Sequence, residues 1–291
     1  MAELEEKVAQ MQAKSIQKNT AKTTTKVVQL PLWPEPVRAV PNGFLRSALF
    51  GAIAKGKRRY MDRERIASVD SVEILSTGQR LDQGDLDTYE SVLHAVRFQA
   101  MGEQCRITSY ALLKLMGKTD AGSNRATLHK RIIRLRSHTV EIKQGRYSYI
   151  GGLIEEAYKD EETQEWIIAL NPKLRALFAA DQFTQIEWAV RHELDGHQLA
   201  QWLHGFYASH AAPLPMKVET LLKLAGSEND NPSSGRQKLR KALDAVAAAS
   251  AASGQPFSYE IRADLVHVDK QGSASQQRHL KRKPKPRKPE A

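Results

Sequence analysis

Apolar positions three and four residues apart predict amphipathic helices at several places along the chain. The clearest helix runs from Asp85, which has the character of an N-cap, to about residue 99. A shorter pattern of the same kind predicts a helix over residues 44–54, and residues 71–75 are typical of a strand. The prolines between residues 31 and 41 favour extended backbone, because the residue before each proline is disfavoured in the helical region.

One segment of the chain is repeated. Residues 107–117 and 216–226 share the pattern Leu-Leu-Lys-Leu-x-Gly at an offset of 109 positions. Each copy predicts a helix that ends at its glycine. A short polar turn follows, and then a second helix whose apolar residues fall in the same register: Leu128, Ile132 and Leu135 in the first copy, and Leu239, Leu243 and Val246 in the second. We interpret each copy as a helix, a tight turn and a second helix.

A predicted β-hairpin follows each second helix. In the first copy, residues 139–143 and 146–150 flank a Gln-Gly turn, with a further strand at 166–170. In the second copy, the strands are 257–262 and 265–269. Leading helices at 85–99 and 194–209 complete two matching units, so the predicted fold is α+β with two winged-helix domains in tandem.

Four segments follow from these patterns. Residues 1–41 are predicted to be a flexible arm, and residues 42–171 the first winged-helix domain. The second domain is predicted over residues 172–270, with Pro172 starting a helix in the connection. Residues 271–291 form a basic tail that we expect to be disordered.

The net charge of the chain indicates the class of molecule that it binds. The chain of 291 residues has a net charge of +11, of which +7 lies in residues 270–291, where eight Lys and Arg face only Glu290. A positive balance favours a polyanion such as nucleic acid. The single Cys105 excludes a disulfide framework and favours a reducing cytoplasmic location, and no apolar run is long enough for a membrane span.

The second helix of each copy carries the candidate DNA-binding residues. Residues 123–138 and 233–243 contain several Lys and Arg and no acid. Opposite the apolar triplets, the residues expected to point outward include Lys130 and Arg134 in the first copy and Gln237 and Lys241 in the second. Thr127, Lys130, Gln237 and Lys241 are the expected base contacts, and the more lateral Arg131, Arg136 and Arg240 are the expected phosphate contacts. The alternative is an ordinary solvated helix face. The full candidate set is Asn124, Arg125, Thr127, Lys130, Arg131, Arg134, Arg136, Ser234, Arg236, Gln237, Lys238, Arg240 and Lys241.

Two patterns imitate enzyme motifs. Residues 51–57 satisfy G-x-x-x-x-G-K, but Arg58 stands where a phosphate loop needs Ser or Thr. His192 and His197 are five residues apart, whereas two metal ligands on one helix face need a spacing of four. We therefore expect no catalytic activity, no cofactor and no metal site. The acidic residues 155–165 are interpreted as a solubilising loop, with a docking surface for a basic partner as the alternative.

The two copies, together with residues 77–85 (Thr-Gly-Gln-Arg-Leu-Asp-Gln-Gly-Asp) and 183–188 (Phe-Thr-Gln-Ile-Glu-Trp), resemble the Rep-type replication initiators of iteron-containing plasmids, in particular those of the TrfA type found on IncP plasmids. The resemblance implies monomers that bind directly repeated origin DNA, in equilibrium with dimers inactive for initiation. It further implies opening of an AT-rich region, with contact to its single strands, and recruitment of the host helicase and host initiator.

Residues 29–33 are similar to the pentapeptide with which polymerases and such initiators dock on the sliding clamp. Gln29 would anchor the peptide by polar bonds, while Leu30, Leu32 and Trp33 would enter apolar pockets. The alternative is that these apolar side chains pack on the first domain.

The predicted function is that of a sequence-specific, DNA-binding initiator of plasmid replication. The alternative is a tandem winged-helix transcription repressor or copy-number regulator, which would have no use for a clamp motif. An ATP-driven origin opener is a third class, and it would require nucleotide binding at Lys57.

Overall fold

The computed structural model describes residues 30–53, 58–69, 72–99, 103–144, 147–179, 182–228 and 231–282. Its buried apolar residues form two clusters, one spanning Leu30 to Ile186 and the other Val190 to Val266. We call residues 30–187 the first unit and residues 188–282 the second unit, so that each unit holds one cluster. No helix in the described part of the chain has the length and apolar character needed to cross a membrane.

The first unit opens with short strands around a long helix and continues into the first repeat copy. Its elements are β1 (Val37–Pro41), α1 (Asn42–Leu45), β2 (Phe50–Gly51), β3 (Tyr60–Ile66), β4 (Val72–Gln79), β5 (Leu81–Asp82), α2 (Gln83–Val96), β6 (Cys105–Thr108), α3 (Ser109–Leu115), α4 (Gly122–Ser137), β7 (Thr139–Gln144), β8 (Tyr147–Gly152), β9 (Glu156–Lys159) and β10 (Glu165–Ala169).

The first unit ends with a 3₁₀ helix (Pro172–Phe178), which starts at the predicted proline, and with β11 (Phe183–Glu187). The elements of the second unit are α5 (Trp188–Glu193), α6 (Gln198–Ala208), β12 (Met216–Lys217), α7 (Val218–Leu224), α8 (Pro232–Ala252), β13 (Phe257–Arg262), β14 (Leu265–Lys270) and α9 (Ala274–Arg282).

Local sequence signals set the ends of the central helices. Helix α2 starts at a capping box in which the Asp85 N–H donates to Asp82 Oδ1 at 2.9 Å and the Asp82 N–H donates to Asp85 Oδ2 at 3.0 Å. Asp82, rather than the predicted Asp85, is therefore the N-cap. Gly117 and Gly226, which follow α3 and α7, have φ of +65° and +71°, so each copy ends in the left-handed turn that its glycine predicts.

Strand order identifies the winged helices. The three-stranded sheets run β6-β10-β9 in the first unit and β12-β14-β13 in the second. Each sheet pairs the strand before the helix–turn–helix with the second strand of the hairpin after it. The two predicted winged-helix domains are therefore confirmed, with β9–β10 and β13–β14 as their hairpins.

The prediction that the first wing lies within residues 139–150 is wrong. Strands β7 and β8 form a hairpin as predicted, but they extend the sheet β3-β4-β7-β8. Strand β4 pairs β7 from Val72–Gln144 to Thr77–Thr139. Turn residues specify a hairpin locally, whereas the sheet that it joins depends on a partner strand far away in the sequence.

The amino-terminal predictions also need correction. Strand β1 is fully buried and pairs antiparallel with β11, so the expected flexible arm over residues 1–41 does not reach residue 41. In place of a helix over residues 44–54, α1 is the only helical segment among the described residues of this range, and β2 pairs in parallel with β5. These pairings join residues that are distant in sequence, which periodicity does not detect.

The tail prediction fails for its first part. Helix α9 lies within the tail that we expected to be disordered, and Gln276 Nε2 donates to the carbonyl of Ala208 at 2.7 Å. Residues 283–291 lie outside the described residues. The basic segment therefore begins as a helix attached to the end of α6.

A buried ion network fixes the two units to each other. Arg191 of α5 is 0% exposed, and its Nε lies 2.7 Å from Asp87 Oδ1 and 3.1 Å from Glu90 Oε2 on α2. Burial raises the pKa of Glu90 to about 7, while Arg191 opposes that shift. Breaking such a network leaves buried charges unpaired, so the orientation of the units is strongly specified.

Candidate nucleic-acid interface

The start of α4 is held by its own turn. Arg125 forms a bidentate pair with Asp120, with both N–O distances 2.6 Å, and Asn124 Nδ2 donates to the carbonyl of Thr119 at 2.8 Å. Thr127 is exposed, and its hydroxyl donates to the Ser123 carbonyl at 2.8 Å. Arg125 and Asn124 thus connect the helix to the turn before it.

Two further arginines of α4 face the protein. Arg134 is 13% exposed and forms an ion pair with the buried carboxylate of Asp85 on α2. The Arg131 guanidinium covers Gly84 so closely that a Cβ there would collide with it. The prediction that Arg134 points outward is wrong, because α4 packs against α2 on this side and the capping carboxylate attracts the cation.

Asp85 is the centre of that contact. Burial and the neighbouring Asp82 raise its pKa to about 6, while Arg58 and Arg134 oppose the rise. Arg58 Nη1 lies 2.9 Å from Asp85 Oδ2, and Arg58 also pairs with Asp82. Arg58, which stands where a phosphate loop needs Ser or Thr, therefore forms ion pairs with the two carboxylates at the start of α2. Lys55 and Lys57 lie outside the described residues.

The exposed cations of α4 are few. Lys130 and Arg136 are exposed and form no ion pair with any acidic residue in the described ranges. Ile133, 52% exposed, lies on the same side of the helix as Lys130. Ile133 lies between Lys130 and Arg136 around the helix, so the two cations do not form one continuous cationic face.

Helix α8 has a more complete cationic face. It begins with Pro232, and Asn231 Oδ1 accepts the N–H of Ser234 at 3.1 Å. Leu239, Leu243 and Val246 are buried as predicted. Four candidates are exposed, and the three cations among them form no ion pair with a described acid, while Ser234 and Arg236 are half-buried. The exposed set is Gln237, Lys238, Arg240 and Lys241.

The turn of the first-unit hairpin is acidic. The β9–β10 turn carries Asp160, Glu161 and Glu162, and Asp160 Oδ1 accepts the N–H groups of Glu162 and Thr163 at 2.9 and 3.0 Å. These carboxylates repel phosphate. The first wing is therefore unsuited to a DNA backbone, which sequence reasoning missed because it placed the wing at residues 139–150.

The clamp-like motif is not presented as a free peptide. Leu30 and Trp33 are buried in the first core, whereas Leu32 is 61% exposed. Trp33 Nε1 donates to His94 Nδ1 at 3.0 Å, and His94 Nε2 bonds Glu35 at 2.8 Å. Leu30 and Trp33 therefore pack on the first domain, which is the alternative to a free clamp peptide. Gln29 lies outside the described residues.

The histidines of the zinc-like pattern have other surroundings. His192 Nε2 bonds the carbonyl of Gly117 at 3.2 Å, and His197 is the N-cap residue of α6. Across the described ranges, no group of three or more His, Cys, Asp or Glu is arranged to hold a metal ion.

The sequence of this chain is similar to one family of known proteins. The family model described as TrfA protein matches residues 1–270. The plasmid replication initiator protein TrfA of Escherichia coli is 24% identical over 278 residues, covering 91% of this chain and 71% of that protein.

Two solved structures are also similar. Domains 2 and 3 of RctB superpose with a TM-score of 0.51 and 14% identity, over 78% of this chain and 97% of theirs. The Pi initiator protein, solved in complex with iteron DNA, gives a TM-score of 0.45 and 10% identity over 64% of this chain and 91% of its own.

Proposed function

This chain belongs to the TrfA family of plasmid replication initiators, and from that premise we propose that it binds directly repeated sequences in a plasmid origin. The proposal rests on the charge and exposure of the outer face of α8. Its cations are exposed, unpaired with described acids and placed on the second helix of a helix–turn–helix, the element that enters a major groove.

We assign base reading mainly to α8. Gln237 can bond adenine through both amide atoms, and Lys241, one turn further along, can donate to guanine. Lys238 and Arg240 flank this face and suit phosphates. On α4, Arg125 and Arg134 are occupied by Asp120 and Asp85, so Lys130 and Arg136 provide its phosphate contacts.

The proposal extends to the steps after binding. Several copies bound to adjacent repeats distort the duplex, so that a neighbouring AT-rich segment opens without nucleotide hydrolysis. The chain then binds the exposed single strand and recruits the host helicase and host initiator as a non-enzymatic platform. A clamp contact through residues 29–33, which the sequence predicts, would require Leu30 and Trp33 to leave the first core, in which both are buried.

Fluorescence anisotropy tests the binding proposal. Duplex from a direct-repeat origin is compared with shuffled duplex at physiological salt, and we expect a preference of about a thousandfold. Gln237→Ala should reduce that preference, with a discrimination loss of about 1–3 kcal/mol at one base position. Lys173→Ala, an exposed lysine of the 3₁₀ helix, is the matched control. Equal binding to both duplexes would overturn the proposal.

A replication assay separates the initiator from a repressor. A plasmid carrying the origin but no initiator gene is maintained if this chain, supplied in trans, initiates replication. Loss of the plasmid despite specific repeat binding and repression of a linked promoter would establish the repressor instead.

A further inference from the structure

A cleft of about 1150 Å³ separates the sheet β3-β4-β7-β8 of the first unit from β12 and α7 of the second. Buried or half-buried apolar side chains form part of its floor, among them Ile66, Val72 and Leu224. Its charged lining consists of Arg65, Lys143, Lys217 and Lys223, together with Glu73 and Glu219. The sequence does not indicate this group, because the four cations come from four different elements.

We propose that this cleft holds a stretch of the sugar–phosphate backbone of the duplex that α8 reads, an inference that rests on the DNA binding proposed above. The first unit then contributes to affinity through Lys143 as well as through α4. The partner is defined by its chemistry as a chain of phosphodiesters.

The charges of the cleft favour a polyanion. Arg65 lies 3.6 Å from Glu73, and Glu73 is opposite Lys143 in the β4–β7 register. Lys217 and Lys223 are exposed and form no ion pair with an acid of the described ranges. Four cations face two carboxylates, so the cleft is net positive, and its protein walls concentrate the field.

The second-unit wall of the cleft lies where a backbone is expected. Helix α7 is the first helix of the helix–turn–helix, which crosses the backbone beside the groove that the second helix occupies. Lys217, Thr220 and Lys223 are exposed on it or next to it. The Val218 N–H donates to the Asp264 carbonyl at 3.0 Å, so Lys217 lies beside the turn of the second hairpin.

The first-unit wall is held in place opposite. Lys143 is the penultimate residue of β7, and Arg65 lies in the edge strand β3. The Arg191 network fixes the first unit against the second, so these cations do not depend on a flexible linker for their position. A backbone lying on α7 therefore meets cations from both units.

The test uses Lys143→Gln and Lys217→Gln, with Lys173→Gln as the matched control. Each cleft variant should flatten the slope of log K against log[salt] by about one unit and weaken binding about fivefold at physiological salt. Binding to repeat and shuffled duplex should weaken equally, because phosphates carry no sequence information. Glu73→Gln should have the opposite sign and tighten binding to both duplexes.

The outcomes separate this inference from the proposed function. Unchanged slopes and affinities in both lysine variants, with specificity still sensitive to Gln237→Ala, would overturn the cleft assignment alone. Wild-type protein without any preference for the repeats would overturn the proposed function instead. Hydroxyl-radical footprinting gives a second readout: Lys143→Gln should lose protection at backbone positions beside the α8 groove, and an unchanged footprint contradicts the assignment.

Discussion

Arg134 and Lys130 are one turn apart on α4, and the structure predicts opposite consequences for their loss. The Asp85 side chain is fully buried and accepts hydrogen bonds from Arg134, from Arg58 at 2.9 Å and from the Asp82 N–H at 3.0 Å. Removing one partner of a buried ion pair costs about 3–5 kcal/mol when the remaining charge is uncompensated. Because two partners remain, we expect Arg134→Ala to lower the free energy of unfolding by about 2 kcal/mol at pH 7.5.

The pH dependence sharpens this prediction. The pKa of Asp85 is raised to about 6, so the folded protein binds its proton more tightly than the unfolded chain, and stability falls as pH rises through that value. Removing Arg134 takes away a charge that opposes the rise, so the pKa of Asp85 increases further. The destabilisation by Arg134→Ala should therefore be largest at pH 7.5 and shrink towards pH 5, where the carboxyl is protonated in both proteins.

Lys130→Ala is the matched comparison. Its side chain is exposed and forms no ion pair with a described acid, so the free energy of unfolding should change by less than about 0.5 kcal/mol. DNA affinity should fall instead. Urea unfolding followed by circular dichroism at both pH values, with anisotropy on the repeat duplex, measures both effects. Wild-type stability in Arg134→Ala, combined with a loss of DNA affinity equal to that of Lys130→Ala, would refute the reasoning.

Three other changes test the fold. Trp33→Ala should cost about 3 kcal/mol and expose the neighbouring amides to hydrogen exchange, because Trp33 fills the first core; fast exchange at these amides already in wild type would contradict its burial. Arg191→Leu leaves two buried carboxylates unpaired and should lower stability by about 3–5 kcal/mol, with easier proteolysis between the units, whereas wild-type resistance would show that the network does not join them. Burial lowers the pKa of His138 from 6.5 to about 4, so the unfolded chain takes up a proton at a higher pH than the folded protein. As the pH falls from 6.5 to 4, about 3 kcal/mol of the free energy of unfolding is therefore lost. His138→Gln should flatten that part of the dependence of stability on pH.

Part of the candidate site follows from local sequence. The register of Leu239, Leu243 and Val246 fixes which side of α8 is buried, and so it also fixes the exposure of Gln237 and Lys241. The same reasoning on α4 places Lys130 correctly and Arg134 wrongly. A helix wheel describes one helix against solvent, and α4 has a second neighbour, α2, whose capping carboxylate captures the arginine.

The sequence by itself determined the two helix–turn–helix units, their glycine-ended first helices and the hairpins after them. These features depend on residues that are close in sequence, within about one or two turns of a helix or a few residues of a strand. Only the tertiary structure decided which hairpin is the first wing, that β1 pairs with β11, that Trp33 is buried and that cations from both units line one cleft. Each of these features is a contact between residues that are distant in sequence. Such contacts depend on how the local elements pack against one another after they have formed.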